Sequence, residues 1–134
     1  MRKLVAAAVQ MSIPDTREKS IEKADKLVRE AAEKGANVIL LPELFETWYF
    51  CQERRYESYE LALPLNENPA VKHFSALAKE LGVVLPISFY ERDETVLYNS
   101  LAMIDADGTI LGVYRKTHIP DDHFYQEKFY FTPG

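Results

Sequence analysis

The stretch Gly35-Ala36-Asn37-Val38-Ile39-Leu40-Leu41-Pro42-Glu43 decides the fold, because it sets a helix stop, an apolar strand and a carboxylate one after another. Gly35 stands where a helix ends on a residue that tolerates positive φ. The run Val38 to Leu41 has no polar alternation, so it reads as a strand buried on both faces. Upstream, from Thr16 to Lys34, Ile21, Ala24, Leu27, Val28, Ala31 and Ala32 recur at three- and four-residue steps. Arg17, Glu18, Lys23, Asp25 and Lys26 take the opposite side, and the spacing predicts an amphipathic helix laid on a sheet. Before it, residues 4–10 carry a Val- and Ala-rich run closed by Ser12, Pro14 and Asp15, which predicts a first strand. Strand, helix and strand make a β-α-β unit. A right-handed crossover puts the carboxyl ends of both strands, near Gln10 and Pro42, along one edge of a parallel sheet. Sites in such sheets favour that edge.

Working outward, Phe45 to Leu65 is aromatic- and charge-rich and reads as loop plus a short helix. Asn68-Pro69 opens a second helix that runs to Leu81, with Val71, Phe74, Leu77, Ala78 and Leu81 on one stripe and Gly82 as its stop. Val83 to Tyr90, Asn99 to Asp105 and Ile110 to Lys116 read as three more strands. Asp107-Gly108 joins the last two as a hairpin, because glycine readily takes the positive φ such a turn needs. The later strands are therefore partly antiparallel. His118 to Gly134 shows no period and reads as an ordered loop. The fold class is α/β, a mixed sheet with flanking helices.

A chain of 134 residues, 47% hydrophobic and 28% charged, has ordinary globular composition and suits one domain or a piece of a larger one. Its formal charge of −5, with Lys and Arg scattered, provides no concentrated basic surface, so no nucleic-acid partner is expected. A small-molecule or protein partner fits better. The opening Met1-Arg2-Lys3 and the apolar run after it are interrupted by Gln10 too early for a secretory leader. No window approaches the roughly 20 apolar residues that cross a bilayer, so no membrane partner is expected. Cys51 is the only cysteine and cannot form an internal disulfide, which fits a reducing cytoplasm.

Three charged residues stand at places suited to chemistry. Glu43 follows the second strand among Leu44, Phe45 and Trp48, and apolar surroundings of that kind raise a carboxyl pKa and suit a general base. Its plainer reading is a helix cap or the partner of a lysine. Lys116 closes the last strand just before Thr117-His118-Ile119-Pro120, where a fixed ammonium can stabilise charge on a carbonyl oxygen. Otherwise it is a solvated lysine. Glu127 lies among Tyr125, Phe129, Tyr130 and Phe131 and can orient either substrate or the lysine, or simply face solvent beside Lys128. Cys51 follows no strand-to-turn element that would activate a nucleophile, and reads as a small buried hydrophobe. His73 reads as a surface or boundary residue, and His118 and His123 with Asp121 and Asp122 match no metal-ligand spacing. No metal and no cofactor is expected.

Taken together the motifs resemble a known family. Leu40-Leu41-Pro42-Glu43-Leu44-Phe45-Glu46 resembles the glutamate motif of the nitrilase superfamily of carbon–nitrogen hydrolases. Gly112-Val113-Tyr114-Arg115-Lys116-Thr117-His118-Ile119-Pro120 resembles its lysine motif, 73 positions on. Glu46 to Gln52 and Tyr125 to Phe131 resemble its N-carbamoylputrescine amidase branch, and the match covers essentially the whole chain. The resemblance implies a general base at Glu43, an oxyanion-stabilising lysine at Lys116 and a supporting glutamate at Glu127. It also implies a cysteine nucleophile on a later strand–turn element, and no cysteine follows Lys116 in this sequence.

By the same resemblance, residues 1–134 would be an amino-terminal, incomplete portion of one carbon–nitrogen hydrolase domain. Its fold would be part of a four-layer α-β-β-α sandwich. The intact protein would be a homo-oligomer that turns an N-carbamoyl amine such as N-carbamoylputrescine into the free amine, ammonia and carbon dioxide. This portion alone would lack turnover. Tyr49, Phe50, Asp122 and Tyr125 are the expected lining for an extended cationic amine, although aromatics at such positions also serve as packing. The competing reading is a non-catalytic α/β module that binds an amine or a protein partner. A nucleotide-binding domain is disfavoured, because Gln10 to Asp15 lacks the glycines that admit a phosphate.

Overall fold

The computed structural model describes residues 3–134, so Met1 and Arg2 of the opening that reads as no secretory leader lie outside it. Strand β1, Ala6–Ala8, pairs in parallel with β2, Val38–Leu40, and between them runs helix α1, Arg17–Glu33. Thr16 caps α1 by accepting from the Lys19 N–H at 3.3 Å. Gly35 follows the helix with φ +90°, the conformation that the sequence demands of it. Helix α2, Pro69–Leu81, starts on Asn68, whose side chain accepts from Val71 N–H at 3.0 Å, and stops on Gly82 in the left-handed region.

Strands β3, Leu85–Asp93, β4, Val96–Ile104, and β5, Ile110–Arg115, form an antiparallel meander. The Ile39 N–H donates to the Val84 carbonyl at 3.0 Å and the Val84 N–H to Asn37 at 2.8 Å, which joins β2 to the foot of β3. This single parallel bridge, Val38 to Val84, sets the β1-β2 pair beside the β3-β4-β5 meander in one mixed layer. Both helices pack on the same face of it. Phe74, Leu77, Val28 and Ala24 meet Leu85, Ile87, Phe89 and Ile104 there in one buried cluster. Alternation along β3 and β4 sends Ser88, Tyr90, Asn99 and Leu101 to the other face. No helix among the described residues is long and apolar enough to span a membrane.

Three expectations need correction. The third and fourth strands extend beyond Tyr90 and begin before Asn99, joined by a tight turn in which Glu94 takes φ +52°. That turn holds no Gly or Asn, so the sequence carried no turn signal there. The stretch after Phe45 contains two 3₁₀ turns, Phe50–Gln52 and Tyr56–Leu61, in place of one short helix. The tail is more regular than a loop: β6, Asp121–Asp122, pairs with β7, Tyr125–Gln126, and a 3₁₀ turn, Glu127–Phe129, follows.

Candidate active site

The face of the sheet away from the helices brings Glu43, Lys116 and Glu127 together. Glu43 leaves the end of β2, and Leu44 after it adopts φ +51°, a costly conformation for a side chain of that size. The Leu44 N–H donates to Ser88 Oγ at 2.9 Å, which fastens the turn to β3. Three residues on, the buried Glu46 accepts from Asn68 Nδ2 at 2.8 Å and pairs with Arg17 Nε at 3.0 Å. Burial pushes the Glu46 carboxyl up, while Asn68 and Arg17 pull against it. The loop carrying Glu43 is thus tied to both helices.

Lys116 continues β5, where its N–H donates to the Asn99 carbonyl at 2.9 Å. Its ammonium lies 2.9 Å from Glu43 Oε1 and 2.8 Å from Glu127 Oε2. Burial alone would lower the Lys116 pKa, but the hydrogen bonds to Glu127 and Glu43 outweigh it and hold the ammonium above the ordinary lysine value. Glu127 is only 2% exposed, and its other oxygen, Oε1, accepts from the Tyr49 hydroxyl at 2.7 Å. Desolvation, then this hydrogen bond to Glu127, keeps the Tyr49 phenol well above its usual range and therefore protonated.

Glu43 differs from the sheltered base that its neighbours suggested. Its side chain is 54% exposed, because Leu44 and Phe45 turn away into separate buried clusters and Trp48 lies in another surface hollow with Asp15 and Arg17. Beside it, Leu40, Leu41, Ser88, Leu101 and Tyr114 line a cavity of about 250 Å³ that also takes in Asn99 and Lys116. Of the expected lining residues, Phe50 is buried, stacked on Tyr90 with centroids 4.9 Å apart, and packs the interior. Tyr125 is 56% exposed and 6.1 Å from the Tyr49 ring, and Asp122 is exposed on the same β6-β7 hairpin. The Tyr49 hydroxyl is spent on Glu127. Cys51 is fully buried, and its thiol is pushed up by desolvation and then by the charge of Glu127, so it stays protonated at neutral pH.

Sequence reasoning passed over Asn99. Its Nδ2 donates to Glu43 Oε1 at 2.6 Å from a site only 4% exposed. The one signal was a carboxamide, beside Ser100, within the mostly apolar strand from Val96 to Ile104. Such a group, once buried, needs a partner.

A carboxylate, an ammonium and a second, buried carboxylate thus meet on the face of the α/β layer away from its helices, and residues 5–134 match the family model of the carbon-nitrogen hydrolases. The chain belongs to that family. It is 52% identical over 133 residues to an N-carbamoylputrescine amidase of Arabidopsis thaliana, a match covering 99% of this chain and 44% of that protein. It is 47% identical over 134 residues to a citrullinase of Francisella tularensis, covering 100% of this chain and 47% of the relative. The crystal structure of a carbon-nitrogen hydrolase from Helicobacter pylori G27 superposes with a TM-score of 0.91 at 40% identity, covering 98% of this chain and 45% of that one. The chain therefore spans less than half the length of these relatives.

Proposed function

We propose that residues 1–134 supply the base, the lysine and the supporting glutamate of a hydrolase that cleaves N-carbamoyl amines. The observation that carries this reading is the closed link Glu43–Lys116–Glu127, with both carboxylates on one ammonium. The names of the two relatives, an N-carbamoylputrescine amidase and a citrullinase, point to a carbamoylated amine as the substrate class. The buried, protonated Cys51 is unsuited to attack, so the nucleophile is a cysteine outside these residues.

In this mechanism Glu43 takes the proton of that thiol, and the thiolate attacks the carbamoyl carbon. Lys116 stabilises the oxyanion of the tetrahedral intermediate. Glu43 returns the proton to the departing nitrogen, ammonia leaves, and an N-alkylcarbamoyl group remains on the cysteine sulfur. A water deprotonated by Glu43 then cleaves this thiocarbamate, and the released carbamic acid loses carbon dioxide to give the free amine. Glu127 holds Lys116 in place. Tyr125 and Asp122, on the exposed hairpin, supply a ring face and a carboxylate suited to the far ammonium of an extended diamine.

The test is ammonia release from N-carbamoylputrescine by the complete reading frame that encodes these residues. Glu43→Gln and Lys116→Met are each expected to lower kcat by about 10²- to 10⁴-fold, and Cys51→Ala to leave turnover in place. The 134 residues alone are expected to release none. Turnover by them alone, abolished by Cys51→Ala, would overturn the assignment of the nucleophile.

A further inference from the structure

The two carboxylates of the site are held in different ways. Both oxygens of Glu127 are engaged, Oε1 by the Tyr49 hydroxyl and Oε2 by the Lys116 ammonium. Glu43 instead receives both of its donors, Asn99 Nδ2 at 2.6 Å and Lys116 Nζ at 2.9 Å, on the single oxygen Oε1. Among the described residues no donor reaches its Oε2. A carboxylate fixed at both oxygens is a poor proton acceptor, since every proton it takes displaces a bond. One fixed at a single oxygen is oriented and still has a free lone pair.

Asn99 has a second tie. Its backbone carbonyl accepts the Lys116 N–H at 2.9 Å, so one residue of β4 fixes the end of β5 with its main chain and the turn after β2 with its side chain. Glu43 and Lys116 are 73 positions apart, and their register runs through Asn99. The residue is almost wholly buried, and its amide must point Nδ2 at Glu43, because a carboxylate can only accept.

Resting on the proposed hydrolase function, we infer that Asn99 is a positioning residue that dedicates Glu43 Oε1 to anchoring, so that Oε2 is the atom that accepts and returns the proton. Without the amide the carboxylate turns about its last torsion, and Lys116 alone holds it. The charged groups facing Glu43 are then Lys116 and, behind it, Glu127, with the hydroxyls of Tyr49 and Tyr114 nearby.

The test uses the complete reading frame with N-carbamoylputrescine as substrate, rates being counted per folded enzyme. Asn99→Leu, close in size but without a donor, is expected to lower kcat about tenfold to a hundredfold, the usual worth of a hydrogen bond to a charged group. KM should stay within about threefold, because the lost contact serves the reaction and not the substrate. Asn99→Asp replaces the donor by a second carboxyl that cannot anchor Glu43 Oε1 and should lower kcat with the same small change in KM. A merely structural residue would lose folded protein while the remaining enzyme kept the wild-type kcat and KM, and that result in both variants would overturn the inference. Full turnover by Glu43→Gln would instead overturn the proposed function. An inactive Glu43→Gln beside an unaltered Asn99→Leu would sink only the role of Asn99.

Discussion

The cluster beneath the helices and the cluster beneath the site are both buried, yet they are assembled from different parts of the chain. The first takes Val28, Phe74, Leu77, Leu85, Ile87, Phe89 and Ile104 from helices and strands, at positions the 3.6- and 2-residue periods select. The second takes Leu44, Phe50, Cys51, Ala62, Ile119, Tyr130 and Phe131 from turns and the tail, and only Tyr90 from a strand. In place of periodicity it uses ring geometry: Phe50 stacks on Tyr90 and meets Tyr130 edge-on at 4.9 Å, and Phe131 meets Tyr90 edge-on at 5.1 Å. Irregular backbone also leaves polar groups without ladder partners, and tyrosine hydroxyls answer some of them. Tyr130 donates to the Glu53 carbonyl at 2.6 Å and accepts from the Arg55 N–H at 2.9 Å, and Tyr59 donates to the Phe129 carbonyl at 2.7 Å. Regular packing makes the scaffold, and aromatic packing of loops seats Glu127 and Tyr49 against it.

The contrast is sharpened most by Phe74→Ala. Phe74 is fully buried between α2 and the sheet and meets Phe45 edge-on at 5.6 Å. Its removal is expected to cost about 3–5 kcal/mol of global stability, read as a lower denaturation midpoint. Tyr130→Phe should do less and do it locally. It keeps the ring and removes the hydroxyl that serves Glu53 and Arg55, a loss of about 1–3 kcal/mol if those groups stay unpaired. Amide exchange should quicken at residues 53–59 and 129–131 with α1 and α2 protected as before. Equal acceleration in both helices would mean that the two clusters melt as one unit.

The same contrast explains what could be read from the sequence. Both helices, the parallel pair β1-β2 and the Asp107-Gly108 hairpin were legible because each rests on local chemistry: an apolar stripe, a cap, or a glycine at positive φ. Gly108 has φ +87°, and a Cβ there would stand 2.6 Å from the Ser75 carbonyl oxygen, so the position excludes other residues. The β3-β4 turn was hidden because Glu94 adopts the left-handed region unaided by sequence. The motifs singled out Glu43, Lys116 and Glu127, whose side chains the fold brings into contact, whereas the exposure of Glu43 was misjudged. Adjacency in sequence placed Leu44, Phe45 and Trp48 around it, and the turn at Leu44 sends them elsewhere. Asn99 left only the weak signal of a carboxamide inside a strand, because its side-chain contact lies 56 positions away.

Lys116 joins the two regions electrostatically, and its contribution has a sign that can be measured. Its folded pKa is raised above the ordinary 10.5, so the folded state holds the proton more tightly than the unfolded one. The stabilisation is fully present below pH 10.5 and is lost as pH rises through the higher folded value. Denaturation midpoints of wild type and Lys116→Met should therefore differ by a constant amount from neutral pH up to 10.5 and converge only at higher pH. A difference that grows with alkalinity would show that the pairing with Glu43 and Glu127 is weaker than the burial that opposes it.

The smallest effect is expected at the edge that neither cluster covers. Leu111 on β5 is 63% exposed, and an apolar side chain that remains in water on folding gains little from the fold. Leu111→Ser should thus change stability by no more than about 0.5 kcal/mol, as surface substitutions do. The comparison with Phe74→Ala then isolates burial as the cause, since both replace an apolar residue in a regular element of the same sheet-and-helix layer. A loss well above about 1 kcal/mol at Leu111, growing with protein concentration, would show that this edge is packed against a second copy in solution.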